Sequence, residues 1–173
     1  GFKFYNLNQS KSENYYLLLS KYDGNTNNGI VELIDLKEFK TLHKWDPNIK
    51  EMNEELKDLN IFNEIRPENN SIMYHPLLKE NGSLIFGWEA PLRHIDSSSK
   101  TLNQFKDFKF HHSIEEDDES NIWAPIYYSP PKVDNLKVGS SEYKDDGIVK
   151  INNDGDILYE KSVSEIFIEN EME

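Results

Sequence analysis

Two histidines stand side by side at His111 and His112, and a third, His75, precedes Pro76. Imidazole titrates near neutral pH, so a neutral histidine is at once a nucleophile and a proton carrier. Such residues offer general acid–base chemistry, or transfer of an anionic group through a histidine adduct. His75 and His112 occupy similar surroundings. His75 leads through Leu77-Leu78 to the turn at Asn81-Gly82 and the apolar run Leu84-Ile85-Phe86. His112 leads to the acidic turn Asp117–Ser120 and the run Ile122-Trp123. Neighbours on a regular strand face opposite ways, so only one of the adjacent pair would point into a site, and the match to His75 favours His112. The structural alternative for each is a histidine that packs or bonds within its sheet. His43 and His94 read as surface or sheet positions.

Composition narrows the chemistry further. The chain has no cysteine, which removes disulfides, thiolate metal sites and cysteine nucleophiles together. A net charge of −13 opposes binding to a phosphate backbone, so no nucleic-acid partner is expected. No run approaches the ~20 apolar residues of a membrane span. The acidic stretch Glu115–Glu119 lacks the glycine and closing glutamate of a calcium loop and reads as a solvated turn. No metal and no cofactor are expected.

The elements that must position these histidines are short strands. Tyr15–Ser20, Ile30–Ile34 and Thr41–Trp45 are apolar runs separated by polar turns. Ile49, Met52, Leu56 and Leu59 share one helical face, which predicts a helical insertion near 48–65, within 47–67. From residue 72 onward short runs alternate with turns such as Asn81-Gly82 and Asn153-Asp154-Gly155. Three segments match: Ile30–Trp45, Leu92–Phe105 and Ile148–Lys161. Each has a strand ending in Ile34-Asp35, Ile95-Asp96 or Ile151-Asn152, then a polar turn and a second strand. Interleaved with them is the histidine-turn-strand unit of His75 and His112.

Four-stranded units that recur at roughly 40 to 60 residues predict an all-β fold, a β-propeller. The chain holds two to three of its blades, at about 15–46, 72–106 and 110–168, with Trp45, Trp88 and Trp123 filling the spaces between them. So few blades do not close a ring, so the remainder is expected from the rest of a longer polypeptide or from other copies. Gly1 in place of a methionine fits a fragment.

The run Phe110-His111-His112-Ser113-Ile114-Glu115 with Asn121-Ile122-Trp123 resembles the bacterial arylsulfate sulfotransferase family. So do Asp145-Asp146-Gly147-Ile148-Val149-Lys150-Ile151 and the following Asn153-Asp154-Gly155 turn and Ile157-Leu158-Tyr159 strand. Gly29–Asp35, His75–Leu78 and Gly82–Phe86 are similar too, so the resemblance covers most of residues 15–168. It implies a six-bladed propeller, periplasmic or exported, that moves a sulfuryl group from an aryl sulfate to a phenol without a nucleotide donor. A histidine carries the group covalently, which makes His112 or His111 the catalytic candidate and His75 a substrate ligand. The chain departs from the family at Ser113, where an aspartate is common, and has no secure match to the family's catalytic asparagine and arginine; Arg93 receives no role. The competing expectation is a non-catalytic propeller that binds a ligand or a protein, or a purely structural domain.

Overall fold

The computed structural model describes residues 14–57, 72–87, 91–133 and 143–172. Leu59, Trp88 and the polar residues before 14 lie outside these ranges. Three antiparallel sheets follow one another along the chain. Sheet 1 contains β1 (Tyr16–Asp23), β2 (Asn28–Asp35) and β3 (Lys40–Trp45), in that order. Helix α1 (Ile49–Glu54) comes next. Sheet 2 contains β4 (Leu77–Leu78), β5 (Leu84–Phe86), β6 (Leu92–Ile95) and β7 (Thr101–Phe105). In sheet 3, β8 (Lys109–Phe110) and β9 (Glu115–Glu116) both pair with β10 (Ile122–Tyr128), which pairs in turn with β11 (Asp145–Ile151) and then β12 (Ile157–Ser162). Helix α2 (Val163–Glu169) follows. The described residues are thus mostly β-sheet with two short helices, and among them no sheet closes on itself.

One local geometry recurs. At Lys79, Asp96, Asp117 and Asn152 the backbone N–H bonds the carbonyl four residues on, and the carbonyl accepts from the N–H three residues on. That third residue has positive φ in every case: Gly82 (81°), Ser99 (69°), Ser120 (63°) and Gly155 (97°). These are type I turns closed by a left-handed residue, the three-residue hairpin. The Oδ1 atoms of Asp96, Asp117 and Asn152 tie three of them down by accepting backbone N–H bonds, and Asp35 does the same for the longer turn of sheet 1. Each sheet also carries a bulge on the strand after its Ile-Asx turn, and the residue left over is a leucine: Leu42, Leu102 and Leu158. Their exposures are nearly equal, at 49%, 53% and 52%. Of the matching segments read in the sequence, those of sheets 2 and 3 share turn, register and bulge, while that of sheet 1 shares the bulge across a turn one residue longer, with Asp35 paired to Lys40.

The sheets pack face to face with sheet 2 in the middle. Leu84, Phe86 and Ile95 face sheet 1, where Val31, Trp45, Leu18 and Leu33 meet them. Ile85, Leu92 and Phe105 face sheet 3, against Ile122, Ala124, Ile126, Val149 and Ile151. With both faces covered, β5 and β6 are buried at every position. In β10, by contrast, buried residues alternate with half-buried ones, because only one face is covered. Trp45 fills the space between sheets 1 and 2 as expected, and its Nε1 donates to the Gly82 carbonyl at 3.2 Å. Among the described residues no sheet packs over Trp123. It lies on the outer face of sheet 3 beside Tyr159 and Lys150.

Helix α1 is shorter, within the described residues, than the 48–65 expectation. Asn48 caps it by accepting from Glu51 N–H, and Ile49 and Met52 bury between sheets 1 and 2. Helix α2 went unread in the sequence, although its signal is present. Ser162 and Glu165 form a reciprocal capping box across Ser162-Val163-Ser164-Glu165.

His94 is buried on β6 at the junction with sheet 3, and its Nε2 lies 2.9 Å from Ser83 Oγ. Burial lowers its pKa, the Lys79 charge lowers it further, and Glu116 opposes them. The unfolded chain then binds a proton near pH 6.5 that the folded chain refuses. Stability therefore falls as pH drops below about 6.5 until the depressed folded value is reached. We expect His94→Gln to flatten that part of the curve, measured by urea unfolding at pH 7.5 and pH 5.5. An unchanged slope would show that His94 does not supply it.

Candidate functional site

The first strand of sheet 3 is broken. β8 ends at Phe110 and β9 resumes at Glu115, while β10 runs unbroken beside both. His111 still belongs to the ladder, its N–H donating to the Pro125 carbonyl at 3.1 Å. His112 leaves it, with a left-handed φ of 58°. A non-glycine residue adopts that conformation at a cost, and such strain clusters at functional positions. Sheet 2 has the same break. The Tyr74 carbonyl accepts from Gly87 N–H, His75 has φ of 45°, and Pro76, which has no N–H to offer, precedes β4. The histidines expected on regular first strands thus mark the points where those strands are interrupted. Both are exposed.

The strand break also overturns the expectation that the neighbouring histidines face apart. The His111 and His112 rings meet edge to face, 4.7 Å between centroids and 73° between planes. Alternation holds up to His111, which faces away from the core residue Phe110 onto the outer face of sheet 3. There it stacks on Tyr127 at 3.9 Å and 13°. Tyr127 pairs in register with Asp146 on β11, whose Oδ1 lies 3.3 Å from His111 Nε2. That contact is close enough for ionic attraction, and among the described residues neither ring nitrogen makes a well-aligned hydrogen bond. His111 is only 5% exposed. Burial lowers its pKa and His112 adds to the effect, while the Ile126 backbone and Asp146 pull the other way. The net shift favours the neutral ring.

The sequence Asp145-Asp146-Gly147 explains how Asp146 reaches this place. Asp145 is fully buried and accepts from Ser162 Oγ at 2.7 Å, Lys132 N–H at 2.8 Å and Tyr143 OH at 3.1 Å. Burial alone would raise its pKa, but these bonds hold it below the ordinary carboxylate value. Burial, together with the bond to Asp145, pushes Tyr143 up to about 12. Gly147 lies against Tyr128, where a Cβ would come within 2.4 Å of the ring. With both neighbours fixed inward, alternation turns Asp146 outward beside His111.

The structure thus joins His111 to His112 and adds two residues that the sequence did not single out, Tyr127 and Asp146. Asp146 lay within a recognised motif, but its partner became visible only through cross-strand register. His75 stands in sheet 2, apart from the elements that hold His111. Ser113 is exposed. Arg93 lies on β6, third of the four strands of sheet 2, and donates through Nη2 to Asn53 Oδ1 on α1. Burial lowers its pKa to about 10, and Glu55 opposes the shift.

A separate polar cleft of about 730 Å³ opens where turns of sheets 2 and 3 meet. Within it the nearly buried Lys79 bonds Glu116 at 2.8 Å, Asn153 Oδ1 at 3.0 Å and the Ser120 carbonyl at 3.3 Å. The acidic turn expected to be solvated is partly tied down there. Asp117 bonds Lys150 at 2.8 Å, and that ammonium holds its carboxyl well below the usual carboxylate range. Among the described residues no group of three or more histidine, aspartate or glutamate side chains is arranged to hold a metal ion. No described helix is long and apolar enough to cross a membrane. Compared with known proteins, the chain matches no family model, no curated protein and no solved structure.

Proposed function

We propose that this chain contributes three blades to an exported β-propeller of the arylsulfotransferase type, which transfers a sulfuryl group from an aryl sulfate to a phenol. In this reading His112 is the nucleophile, His111 supports it as a neutral ring, and His75 binds substrate from the neighbouring blade. The observation that carries the reading is the strand break at His112. An exposed imidazole is held there in a strained backbone conformation, edge-on to a second histidine that burial keeps uncharged. Face-to-face packing of three repeated sheets supports the propeller.

The chemistry balances without a cofactor. A His112 ring nitrogen attacks sulfur, the bond from sulfur to the aryl oxygen breaks, and the phenolate leaves and takes up a proton. An acceptor phenol then attacks the same sulfur, the sulfur–nitrogen bond breaks, and the phenol proton passes to a base. Neutral imidazole suits the first step, since a protonated ring has no lone pair to give.

The test is incubation of the full polypeptide with 4-nitrophenyl sulfate, with and without phenol. Phenol-dependent release of nitrophenol is the expected result. No release under either condition would overturn the enzymatic reading and leave the binding-module alternative.

A further inference from the structure

The three sheets stack head to tail. Each pair of sheets has the same partnership of faces: on the strand that precedes the Ile-Asx turn strand, one face bears a given residue and the other the two residues flanking it. Leu18 of sheet 1 meets Leu84 and Phe86 of sheet 2, and Ile85 of sheet 2 meets Ile122 and Ala124 of sheet 3. By register Leu18, Ile85 and Trp123 are equivalent, as are Leu17, Leu84 and Ile122. Two faces of opposite type are therefore left open at the ends. Sheet 3 presents Trp123, Ile148 and Tyr159, and sheet 1 presents Leu17, Leu19 and Ile34. These are half-buried or exposed, whereas Leu84, Ile85, Phe86, Leu92 and Ile95, which hold equivalent positions in the middle sheet, are buried.

The helices show the same difference. Helix α1 follows the last strand of sheet 1 and buries Ile49 and Met52 against sheet 2. Helix α2 follows the last strand of sheet 3 and buries nothing, leaving Phe167 at 47% and Ile168 at 57% exposure. The position that α1 fills with its neighbour's help stands open beside α2.

We propose that the outer face of sheet 3, together with α2, seats the outer face of sheet 1 from a second copy of this chain. The contact repeats, between copies, the packing that the chain makes twice within itself. Such a heterologous contact closes a ring or extends a stack according to the rotation it imposes. It also covers His111, Tyr127 and Asp146, which lie on that face of sheet 3, so the copy completes the wall of the histidine site. Nothing in this proposal requires that site to be an enzyme.

Sedimentation of the 173-residue chain at micromolar concentrations and above should give masses of two or more copies. Rising salt should strengthen association, because each copy carries −13 and salt screens the repulsion between copies. Leu19→Lys on one open face and Tyr159→Lys on the other should each weaken self-association more than tenfold, with folding checked by circular dichroism. Mixing the two variants should restore a heterodimer, since each keeps the face that the other lacks. The absence of native cysteine gives a second measurement that tolerates imperfect variants. Leu19→Cys mixed with Tyr159→Cys should form a mixed disulfide in preference to either homodisulfide. A chain that stays monomeric, homodisulfides in excess, or association that weakens with salt would each overturn the proposal.

Discussion

Replacing His112 by asparagine should reduce phenol-dependent nitrophenol release by at least about a hundredfold, the scale on which a group that acts directly on the reacting atoms contributes. Asparagine is the right replacement because of the backbone. At φ of 58° an alanine would carry the strain of a left-handed residue, on the order of 1 kcal/mol, and confuse lost chemistry with lost structure. Asparagine tolerates that conformation and has no nucleophilic ring. His112→Gly serves as a second control, since it relaxes the backbone fully. Both variants should unfold at the same urea concentration as the parent or above it, and both should be inactive. His111→Asn should act differently, by removing the Tyr127 stack and the edge contact that orients His112 without removing the attacking nitrogen. Retention of more than roughly a tenth of the parent rate by His112→Asn would place the nucleophile elsewhere.

Trp45→Ala should cost about 3–5 kcal/mol, the range for deleting a large buried aromatic. Trp45 is 2% exposed and packs on both sheets it separates. Its Nε1 proton goes to the Gly82 carbonyl, and its edge meets the His43 ring 4.4 Å away. The truncation removes the ring, opens a cavity and leaves that carbonyl without its donor. For a chain of this size the thermal midpoint should fall by on the order of 10 °C. Trp45→Phe should recover most of the loss, because it restores apolar volume but not the hydrogen bond. If Trp45→Ala shifted stability by less than about 1 kcal/mol, sheets 1 and 2 would not be unfolding as one packed unit.

Much of the fold could be read from the sequence because it is written in local chemistry. The Asp96, Asp117 and Asn152 turns each place a small or polar residue where the backbone must be left-handed, and apolar runs flank them. The repeat that follows from these turns needs no knowledge of distant contacts. The site was less legible. The equivalence of His75 and His112 was visible, but their left-handed backbone was not, since nothing in a histidine beside Pro76 or Ser113 announces a strand break. Without that break, alternation forces His111 and His112 apart, and the sequence reading followed it. Tyr127 and Asp146 come to His111 through cross-strand register, which depends on where β10 and β11 pair and not on any spacing along the chain. Trp123 shows a related limit: an aromatic in a strand shows that one face is apolar, but not which sheet covers it.

Ser162 has a position that links two parts of the molecule. Its single hydroxyl proton goes to buried Asp145, while its oxygen receives the Glu165 N–H that starts helix α2. One atom thus serves as helix cap and as anchor for the strand that carries Asp146. Fraying of the first turn of α2 removes the bond that orients this hydroxyl and loosens the hold on Asp145. The C-terminal helix and the histidine wall should therefore open as one cooperative unit. In amide hydrogen exchange, Glu165 and the β11 residues from Asp145 to Gly147 should lose protection together, ahead of the middle sheet.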